Sequence, residues 1–355
     1  MSKISIVTAS MIRGGAERVI SLLANHFAGT GHEVEIVMIT NKKVEYQLDK
    51  GVSTVDLSFP GIGGVKRIFC WIKGIRKYYR TSKPDLIISF SAQVNITAYF
   101  SLFGLRKNFV TGEISDPTAT VTQKSKVIRL MSEYVYAHSD NVIFQTQRVM
   151  NYFGKKARSK GIVINQPAAV ECEAEAEKKK RIVNVGRLVP DKNQKMLIKA
   201  FYQISQKHPD FILEFFGDGI YRDELTQYAR ELGISDRVIL NPSVPDIHDK
   251  IKDAYMFVLS SNAEGLSNAL LEAMMMGHAV ISTECAGSVD MIKNNENGLL
   301  VPVGDCEALA DAMDFMIENP EKAAIFGENA KESVKMYRQE NVFAAWDEFV
   351  DKWLK

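Results

Sequence analysis

The chain has 355 residues and a formal net charge of +1, and its 46% hydrophobic and 25% charged residues are typical of a soluble globular protein of two domains. Its four cysteines form no CxxC pair and no apolar run reaches the roughly 18 residues of a membrane helix, which argues against a disulfide framework, a zinc knot and a membrane span and favours a reducing compartment. The near-neutral total hides an asymmetry, because residues 1–170 carry 23 basic against 11 acidic residues whereas the remainder carries 21 against 32.

Short apolar runs alternate with amphipathic stretches along the first half, and this alternation predicts a parallel sheet with helices on both faces. The runs predicted as strands are ISIVTAS, EVEIVMI, DLIISFS, NFVTGE, NVIFQT and GIVINQ. Gly14 and Gly15 stand between the first strand and a helix predicted from Ala16 to Ala28. Such a turn lets backbone amides approach a phosphate, although a glycine pair here is equally consistent with a plain turn.

A basic amphipathic helix is predicted over residues 65–80, VKRIFCWIKGIRKYYR. At about 100° per residue its cations gather on one side and its apolar side chains on the other, which comprises Val65, Ile68, Ile72, Ile75 and Tyr79. In a basic half-chain, these cations are predicted to bind anionic headgroups or a diphosphate. The candidates are Lys66, Lys73, Arg76, Lys77 and Arg80. The alternative is that the apolar side is core and the cations only face water.

The stretch QPAAVECEAEAEKKK, residues 166–180, interrupts the alternation with a proline and a charge run, and it is predicted to be a linker. Strands are predicted again at RIVNVG, FILEFFG, RVILNPS, MFVLSS and AVISTE. The domains then cover residues 1–168 and 169–335, with a C-terminal helix over 336–355 packing back on the first. One side of this helix carries Trp346, Phe349 and Trp353. Two such Rossmann-like α/β domains would face each other across a ligand cleft at the carboxyl ends of their sheets.

The densest candidate site is SSNAEGLSNALLEAMMMG, residues 260–277, in which a strand meets a loop and then a helix capped by Ser267 or Asn268. Backbone N–H groups at the start of this helix, including that of Leu266, would bind an anion such as a diphosphate. Gly265 allows the backbone to approach such a ligand closely.

Two glutamates flank this helix start. Glu272 lies about one turn, or ~6 Å, beyond Asn268, where a carboxylate could hold a ribose diol, and Glu264 lies on the other side, where a sugar would sit. The spacing alone is weak evidence, since Glu332–Glu340 and Glu340–Glu348 share it, so the strand–Glu-Gly–helix context carries the prediction. The structural alternative is a capped surface helix with a solvated Glu272.

Two further motifs follow predicted strands. In VNVGRLVPDKN, the planar guanidinium of Arg187 and the ammonium of Lys192 could together neutralise a diphosphate without a metal. The alternative is that both are exposed cations of a loop. FFGDGIYRDEL carries Gly217 and Gly219, which a tight turn explains equally well. The six histidines show neither HxH nor HxxxH spacing, so no metal site is predicted.

The GGAE-like first loop, GRL-x3-K, the GDG turn, EGL-x5-EA and NGLLVP at Asn297–Pro302 together resemble the retaining glycosyltransferases of family 4. The resemblance spans most of the chain, is strongest from Arg181 to Pro302, and is closest to bacterial enzymes that build lipid-linked surface polysaccharides or glycans. It implies the two-domain GT-B fold, retained anomeric configuration and no metal. It also implies no cofactor beyond the substrate nucleotide sugar, with UDP as the expected nucleotide and GDP-mannose as the alternative.

The resemblance also implies residue roles. Arg187 and Lys192 would bind the diphosphate and Glu264 would contact the donor sugar near the reacting face, which makes these three the predicted catalytic set. Glu272 would hold the ribose, Val244 would mark where the backbone recognises the base, and Gly15 would face the donor phosphate. The other implied donor contacts are Gly217, Gly265, Leu266, Ser267 and Asn268.

One position departs from the family pattern. Many relatives place a histidine after the strand that here reads NFVTGEISDPT, whereas this chain has Glu113-Ile114-Ser115-Asp116. Glu113 and Asp116 are therefore predicted as acceptor or donor contacts, with a turn role for Asp116 before Pro117 as the alternative.

The function that the resemblance implies is transfer of a hexose or N-acetylhexosamine from a nucleotide sugar to a polyprenyl-diphosphate-linked saccharide. The enzyme would be cytoplasmic and peripheral on the inner face of the cell membrane, with an anionic membrane surface as a partner and no nucleic acid. Two alternatives stay open at this point: a GT-B sugar-nucleotide epimerase, and a non-catalytic nucleotide-sugar-binding or scaffold protein.

Overall fold

The computed structural model describes residues 1–12, 14–105, 108–114, 123–168, 170, 174 and 177–354. The chain divides into two compact units. Unit 1 comprises Met1–Pro167 and Gln339–Lys355, and unit 2 comprises Ala168–Arg338.

Unit 1 is built on a parallel sheet. Its strands are β1 Lys3–Thr8, β2 Glu33–Met38, β3 Val52–Asp56, β4 Leu86–Phe90, β5 Phe109–Glu113, β6 Asn141–Phe144 and β7 Gly161–Val163. Its helices are α1 Gly15–Gly29, α2 Gly64–Ser82, α3 Ala92–Leu102, α4 Gln123–His138, α5 Gln147–Tyr152, α6 Lys155–Arg158 and, after those of unit 2, α14 Gln339–Leu354. The strand order is β3-β2-β1-β4-β5-β6-β7 with parallel pairing.

Both faces of the unit-1 sheet are covered, which is why its central strands are continuous apolar runs. On one face Ile4 and Ile6 pack with α1 and with Trp346 of α14, and on the other Val7 and Ile87 pack with α2 and α3. The strand order reverses between β1 and β4, so the carboxyl ends of these strands form the kind of crevice in which doubly wound sheets bind ligands.

Unit 2 repeats this architecture, with a sheet of six strands among its described residues. They are β8 Lys179–Val185, β9 Ile212–Phe216, β10 Val238–Asn241, β11 Ala254–Leu259, β12 Ala279–Thr283 and β13 Leu299–Val301. The helices are α7 Gln194–Ser205, α8 Arg222–Glu231, α9 Ile247–Ile251, α10 Asn268–Met276, α11 Ala286–Met291, α12 Cys306–Glu318 and α13 Pro320–Ser333. The parallel order β10-β9-β8-β11-β12-β13 reverses between β8 and β11. Two doubly wound parallel sheets confirm the predicted fold class.

Several local predictions need correction. The strands β3 and β13 were not expected, because β3 is only partly buried and β13 has three residues, and both lie at sheet edges. β8 begins at Lys179, inside the predicted linker, part of which lies outside the described residues. The helix predicted over residues 65–80 is confirmed as α2, which continues through Gly74, where the missing side chain leaves room for the Phe59 ring.

Candidate active site

The loop between β11 and α10 carries the densest group of predicted site residues. β11 ends at Leu259, and Ser267 caps α10 by accepting a hydrogen bond from the Leu270 amide at 3.4 Å. Because β11 adjoins β8 at the order reversal, the loop lies at the edge where such sheets bind ligands. Glu264 and the N-terminus of α10 are therefore presented at that edge.

A salt bridge joins Lys192 to Glu264, which stand 72 residues apart in the chain. Glu264 also accepts a hydrogen bond from Ser261 Oγ at 3.1 Å. The two side chains are 20% and 14% exposed, so the pair is largely withdrawn from water yet still within reach of a ligand. When such a pair separates, the ammonium can bind the phosphate of a ligand and the carboxylate can accept hydrogen bonds from the hydroxyl groups of the same ligand.

Hydrogen bonds tie the loops that carry this pair to each other. Lys192 ends a 3-10 turn, Pro190–Lys192, and Asn193 follows in the left-handed region with φ 48°. Asn193 Nδ2 donates to Asn262 Oδ1 at 2.9 Å, and Ser260 Oγ donates to the Lys192 carbonyl at 3.0 Å. The contact between Lys192 and Glu264 is thus held by backbone placement as well as by charge.

Arg187 is exposed and follows the end of β8 by two residues. Its carbonyl accepts a hydrogen bond from Gln194 Nε2 at 2.9 Å, which holds the loop against α7. The side chain of Lys192 passes beside the same loop: a Cβ built on Gly186 would lie 4.0 Å from Lys192 Cε. The two predicted phosphate-binding cations therefore belong to one loop at one sheet edge.

The glycines of the GDG turn have a structural explanation. A Cβ on Gly217 would lie 1.9 Å from the Gly186 carbonyl oxygen, and one on Gly219 would lie 2.1 Å from that of Leu188. The turn therefore packs backbone to backbone on the loop that carries Arg187. The predicted donor contact of Gly217 stays a prediction.

Gly287, which the sequence analysis did not identify, supports the Glu264 loop in the same way. It lies at the start of α11, and a Cβ there would lie 1.9 Å from the Gly265 carbonyl oxygen. The signal available in the sequence was a glycine in CAGSVD, in the segment that follows the predicted strand AVISTE, where glycine permits close backbone approach.

Glu272, the predicted ribose-binding carboxylate, is buried on α10 at 6% exposure. His248 Nε2 lies 3.1 Å from Glu272 Oε2, and His248 is also buried. This histidine on α9 was missed because a lone histidine has no spacing signature. Val244, the predicted base-side residue, precedes α9 and packs partly buried against the core of unit 2.

In unit 1, Gly15 is the first residue of α1, the helix that follows β1, and Gly14 is its N-cap with an extended backbone. Glu113 ends β5 and is buried, and Tyr136 donates a hydrogen bond to it. Burial raises the pKa of Tyr136 well above its usual value and the Glu113 charge raises it further, so the phenol keeps its proton. Asp116 lies outside the described residues.

The α2 cations separate into two groups. Lys66, Lys73, Lys77 and Arg80 are exposed, as a binding role requires. Arg76 instead donates hydrogen bonds to the carbonyls of Ser101 at 3.1 Å and Phe103 at 2.6 Å, so it caps the end of α3. On the other side Ile75 and Tyr79 are buried, whereas Ile68 is 40% exposed.

The described residues show neither a candidate metal site nor a helix that could span a membrane. Among the described residues no group of three or more His, Cys, Asp and Glu side chains is placed to hold a metal ion. Of the helices in the described ranges, none is long and apolar enough to cross a bilayer.

Comparison with known proteins identifies two family models along the chain. The model described as Glycosyltransferase Family 4 matches residues 13–165, and the model described as Glycosyl transferases group 1 matches residues 166–333. The two together account for most of the chain, and they meet at the division between the two units.

Curated relatives and solved structures agree with these models. A Campylobacter jejuni alpha-1,4-N-acetyl-D-galactosaminyltransferase, named for an undecaprenol-PP-linked substrate, is 27% identical over 98% of this chain and 97% of its own. A second enzyme of that organism, a diphospho-undecaprenol 4-alpha-N-acetylgalactosaminyltransferase, is 24% identical over 95% and 96%. Anabaena HepE in complex with UDP and glucose superposes with a TM-score of 0.85 at 18% identity, covering 99% of this chain and 100% of that one, a likeness of fold.

Proposed function

The chain belongs to the family 4 glycosyltransferases, and from that premise we propose that it transfers a hexose or N-acetylhexosamine from a UDP-sugar to a polyprenyl-diphosphate-linked saccharide, with retention of configuration. The proposed acceptor follows the substrates for which the two Campylobacter relatives are named. The proposed nucleotide follows the HepE complexes.

The observation that carries the proposal is the contact of Lys192 with Glu264 at the β8–β11 edge. On donor binding, Lys192 and Arg187 would turn to the diphosphate, and the α10 amides would bind its oxygens. Glu264, released from its partner, would orient the sugar hydroxyls beside the reacting carbon. Glu272 would accept hydrogen bonds from the ribose.

The chemical step is a front-face exchange. The bond from the anomeric carbon to the UDP oxygen breaks while the bond to the acceptor hydroxyl oxygen forms on the same face. The proton of that hydroxyl moves to the departing phosphate, so the products are the extended saccharide and UDP. The positive charges of Lys192 and Arg187 stabilise the charge that develops on the phosphate.

No metal is required in this proposal, because two cations and a helix N-terminus take the part that Mg²⁺ has at other diphosphate sites. We expect the rate of transfer to be unchanged by EDTA. Loss of activity on chelation, restored by added Mg²⁺ or Mn²⁺, would contradict metal independence and leave the transfer itself in place.

The enzyme is proposed to bind its acceptor at the inner face of the cell membrane. The exposed cations of α2 would bind anionic headgroups or the acceptor diphosphate. A Lys66/Lys73/Lys77→Glu triple variant is expected to lose binding to anionic vesicles in flotation. Binding equal to wild type would remove α2 from the proposal.

The test of function is a panel of nucleotide sugars, each incubated with and without a short-chain prenyl-diphosphate saccharide while UDP release is recorded. Release that depends on the acceptor supports transfer. Conversion of the donor sugar without release would indicate an epimerase, and donor binding without any reaction would indicate a binding protein.

A further inference from the structure

The outer side of α4 is apolar although it faces water. Its exposed apolar side chains are Val127, Leu130, Met131 and Tyr134, which are 37–66% exposed. Spaced at i, i+3, i+4 and i+7, they form one stripe along two turns. The opposite side of the helix, with Val135 and Tyr136, is already packed in the core of unit 1. The helix therefore has a second apolar surface beyond the one that folding uses.

The end of α3 continues this surface. Phe100 is 39% and Phe103 is 70% exposed, and the rings of Tyr99 and Tyr134 connect the two helices with centroids 6.2 Å apart. A cavity with a volume of about 200 Å³, lined partly by Leu102 and Phe103, opens between the two helix ends. We call this surface the α3–α4 face, and it consists of Phe100, Phe103, Val127, Leu130, Met131 and Tyr134.

Lysines and arginines predominate on the helices beside this face. The helices α2, α3 and α4 are neighbours on one side of unit 1 and together contain nine lysines and arginines against one acidic residue. That acid, Glu133, accepts a hydrogen bond from the Gly154 amide at 2.9 Å. Arg76 joins α2 to the end of α3 at the Phe103 carbonyl, so the cations of α2 begin next to the apolar surface.

We propose that the α3–α4 face inserts into the headgroup region of an anionic lipid bilayer, while the cations of α2 contact the headgroups. This rests on the proposed function for the acceptor and adds the apolar component, which α2 alone does not supply. Exposed aromatic and aliphatic side chains on helices rich in lysine and arginine match the surface of such a membrane. A second copy of the same face is a poor occupant, because it would bring the basic helices of two copies together.

The test compares two double variants of the full chain. Phe103→Ser/Leu130→Ser removes the most exposed side chains of the face, and Ile220→Ser/Ile325→Ser removes side chains that are 84% and 56% exposed in unit 2. Sedimentation with phosphatidylcholine vesicles containing about 30% phosphatidylglycerol is expected to show at least roughly tenfold weaker binding for the first variant and none of this loss for the second.

Equal loss in both variants, or none in the first, would overturn the inference. So would a wild-type dimer, seen by light scattering, that only Phe103→Ser/Leu130→Ser dissociates while vesicle binding is unchanged. UDP release with a water-soluble acceptor is measured separately. If no donor and acceptor support release although the vesicle result holds, the proposed function fails and the membrane surface stands.

A second inference comes from the pair His248 and Glu272 in unit 2. Both side chains are buried and 3.1 Å apart, and they join α10 to α9, the helix that follows the Val244 loop. A ribose held by Glu272 needs this carboxylate in one orientation. We infer that His248 is a positioning residue, which fixes the Glu272 carboxylate for the ribose hydroxyls and acts through it.

The readout is the ratio of dissociation constants for 2′-deoxy-UDP and UDP, which a merely structural change would leave alone. Wild type is expected to prefer UDP about tenfold or more, His248→Leu to lose most of this preference, and His248→Gln, which keeps a donor, to retain part of it. His208→Leu is the matched control, because His208 forms a comparable pair with Asp314 at 2.6 Å.

Preserved discrimination in His248→Leu would overturn the positioning role alone. Absence of discrimination in wild type would overturn it together with the ribose role proposed for Glu272. Transfer activity, measured with the same proteins, tests the proposed function independently of both outcomes.

Discussion

At the scale of single residues, substitution of Glu264 is expected to affect turnover much more than donor binding. Glu264→Gln keeps the size of the side chain and removes the charge that pairs with Lys192. We expect turnover to fall about 100-fold, since charge placed at the reacting face acts in the transition state, and UDP affinity to change by less than about threefold. UDP-release kinetics and calorimetric titration measure the two quantities.

Glu224→Gln is the control for this substitution. Glu224 pairs with Lys195 in the same unit at 3.0 Å, but both side chains are about half exposed. Turnover that is unchanged in Glu264→Gln, or reduced equally in Glu224→Gln, would contradict the role given to Glu264.

Lys192 is expected to behave differently because its charge serves the diphosphate in both the bound donor and the transition state. Lys192→Ala should weaken UDP binding about tenfold or more and lower turnover as well. Lys195→Ala, three residues away on the same segment, should do neither. Wild-type UDP affinity in Lys192→Ala, measured by calorimetry, would exclude Lys192 from the phosphate site.

At the scale of elements, the start of α11 determines where the Glu264 loop can lie. In Gly287→Ala the new Cβ would meet the Gly265 carbonyl at 1.9 Å, so the backbone must move. We expect a loss of stability of about 1–3 kcal/mol and weaker donor binding. Thermal denaturation with and without UDP measures both. Gly29→Ala, where no atom lies within 4 Å, is the neutral control, and equal behaviour of the two would contradict the close packing.

The elements that the sequence predicted well are those buried on both sides. β4 and β12 are fully buried strands whose apolar runs admit no other placement. β3 has no fully buried residue and β13 has only three residues, so neither forms such a run. Sheet edges depend on the neighbouring strand, which a local pattern does not contain.

The candidate site shows the same limit. Arg187, Lys192 and Glu264 could be predicted as site residues because each lies in a local motif beside a strand end. His248 and Gly287 were not, because their significance depends on partners that folding brings to them, Glu272 and the Gly265 carbonyl. The role of Arg76 was misassigned for a related reason. Its position among basic residues suggests that Arg76 binds a ligand, whereas in the structure it donates hydrogen bonds to carbonyls at the end of α3.

At the scale of the whole molecule, the two units differ in what they report on unfolding. The three tryptophans, Trp71, Trp346 and Trp353, all belong to unit 1, so selectively excited tryptophan fluorescence reports on that unit. Far-UV circular dichroism follows both. A stability effect that arises in unit 2 should therefore appear in the second signal and not in the first.

His278 in unit 2 provides such an effect. Its side chain is fully buried, and burial lowers the pKa of His278 to about 3 from the ordinary 6.5. Between these values the unfolded chain binds a proton that the folded chain does not, so the free energy of unfolding falls as the pH falls. Well below pH 6.5, His278 makes the free energy of unfolding fall by about 1.4 kcal/mol for each unit by which the pH falls. Well above pH 6.5, His278 adds no pH dependence to the free energy of unfolding.

His278→Gln should remove that slope from the unit-2 transition between about pH 5 and 6, while the contribution of carboxylates stays common to both proteins. Urea unfolding of wild type and variant, followed by circular dichroism and fluorescence together, measures it. The fluorescence transition of unit 1 should have the same pH dependence in both proteins. Identical slopes in the dichroism transition would mean that His278 is charged or solvated in the folded chain, and that its burial does not contribute to the acid sensitivity of unit 2.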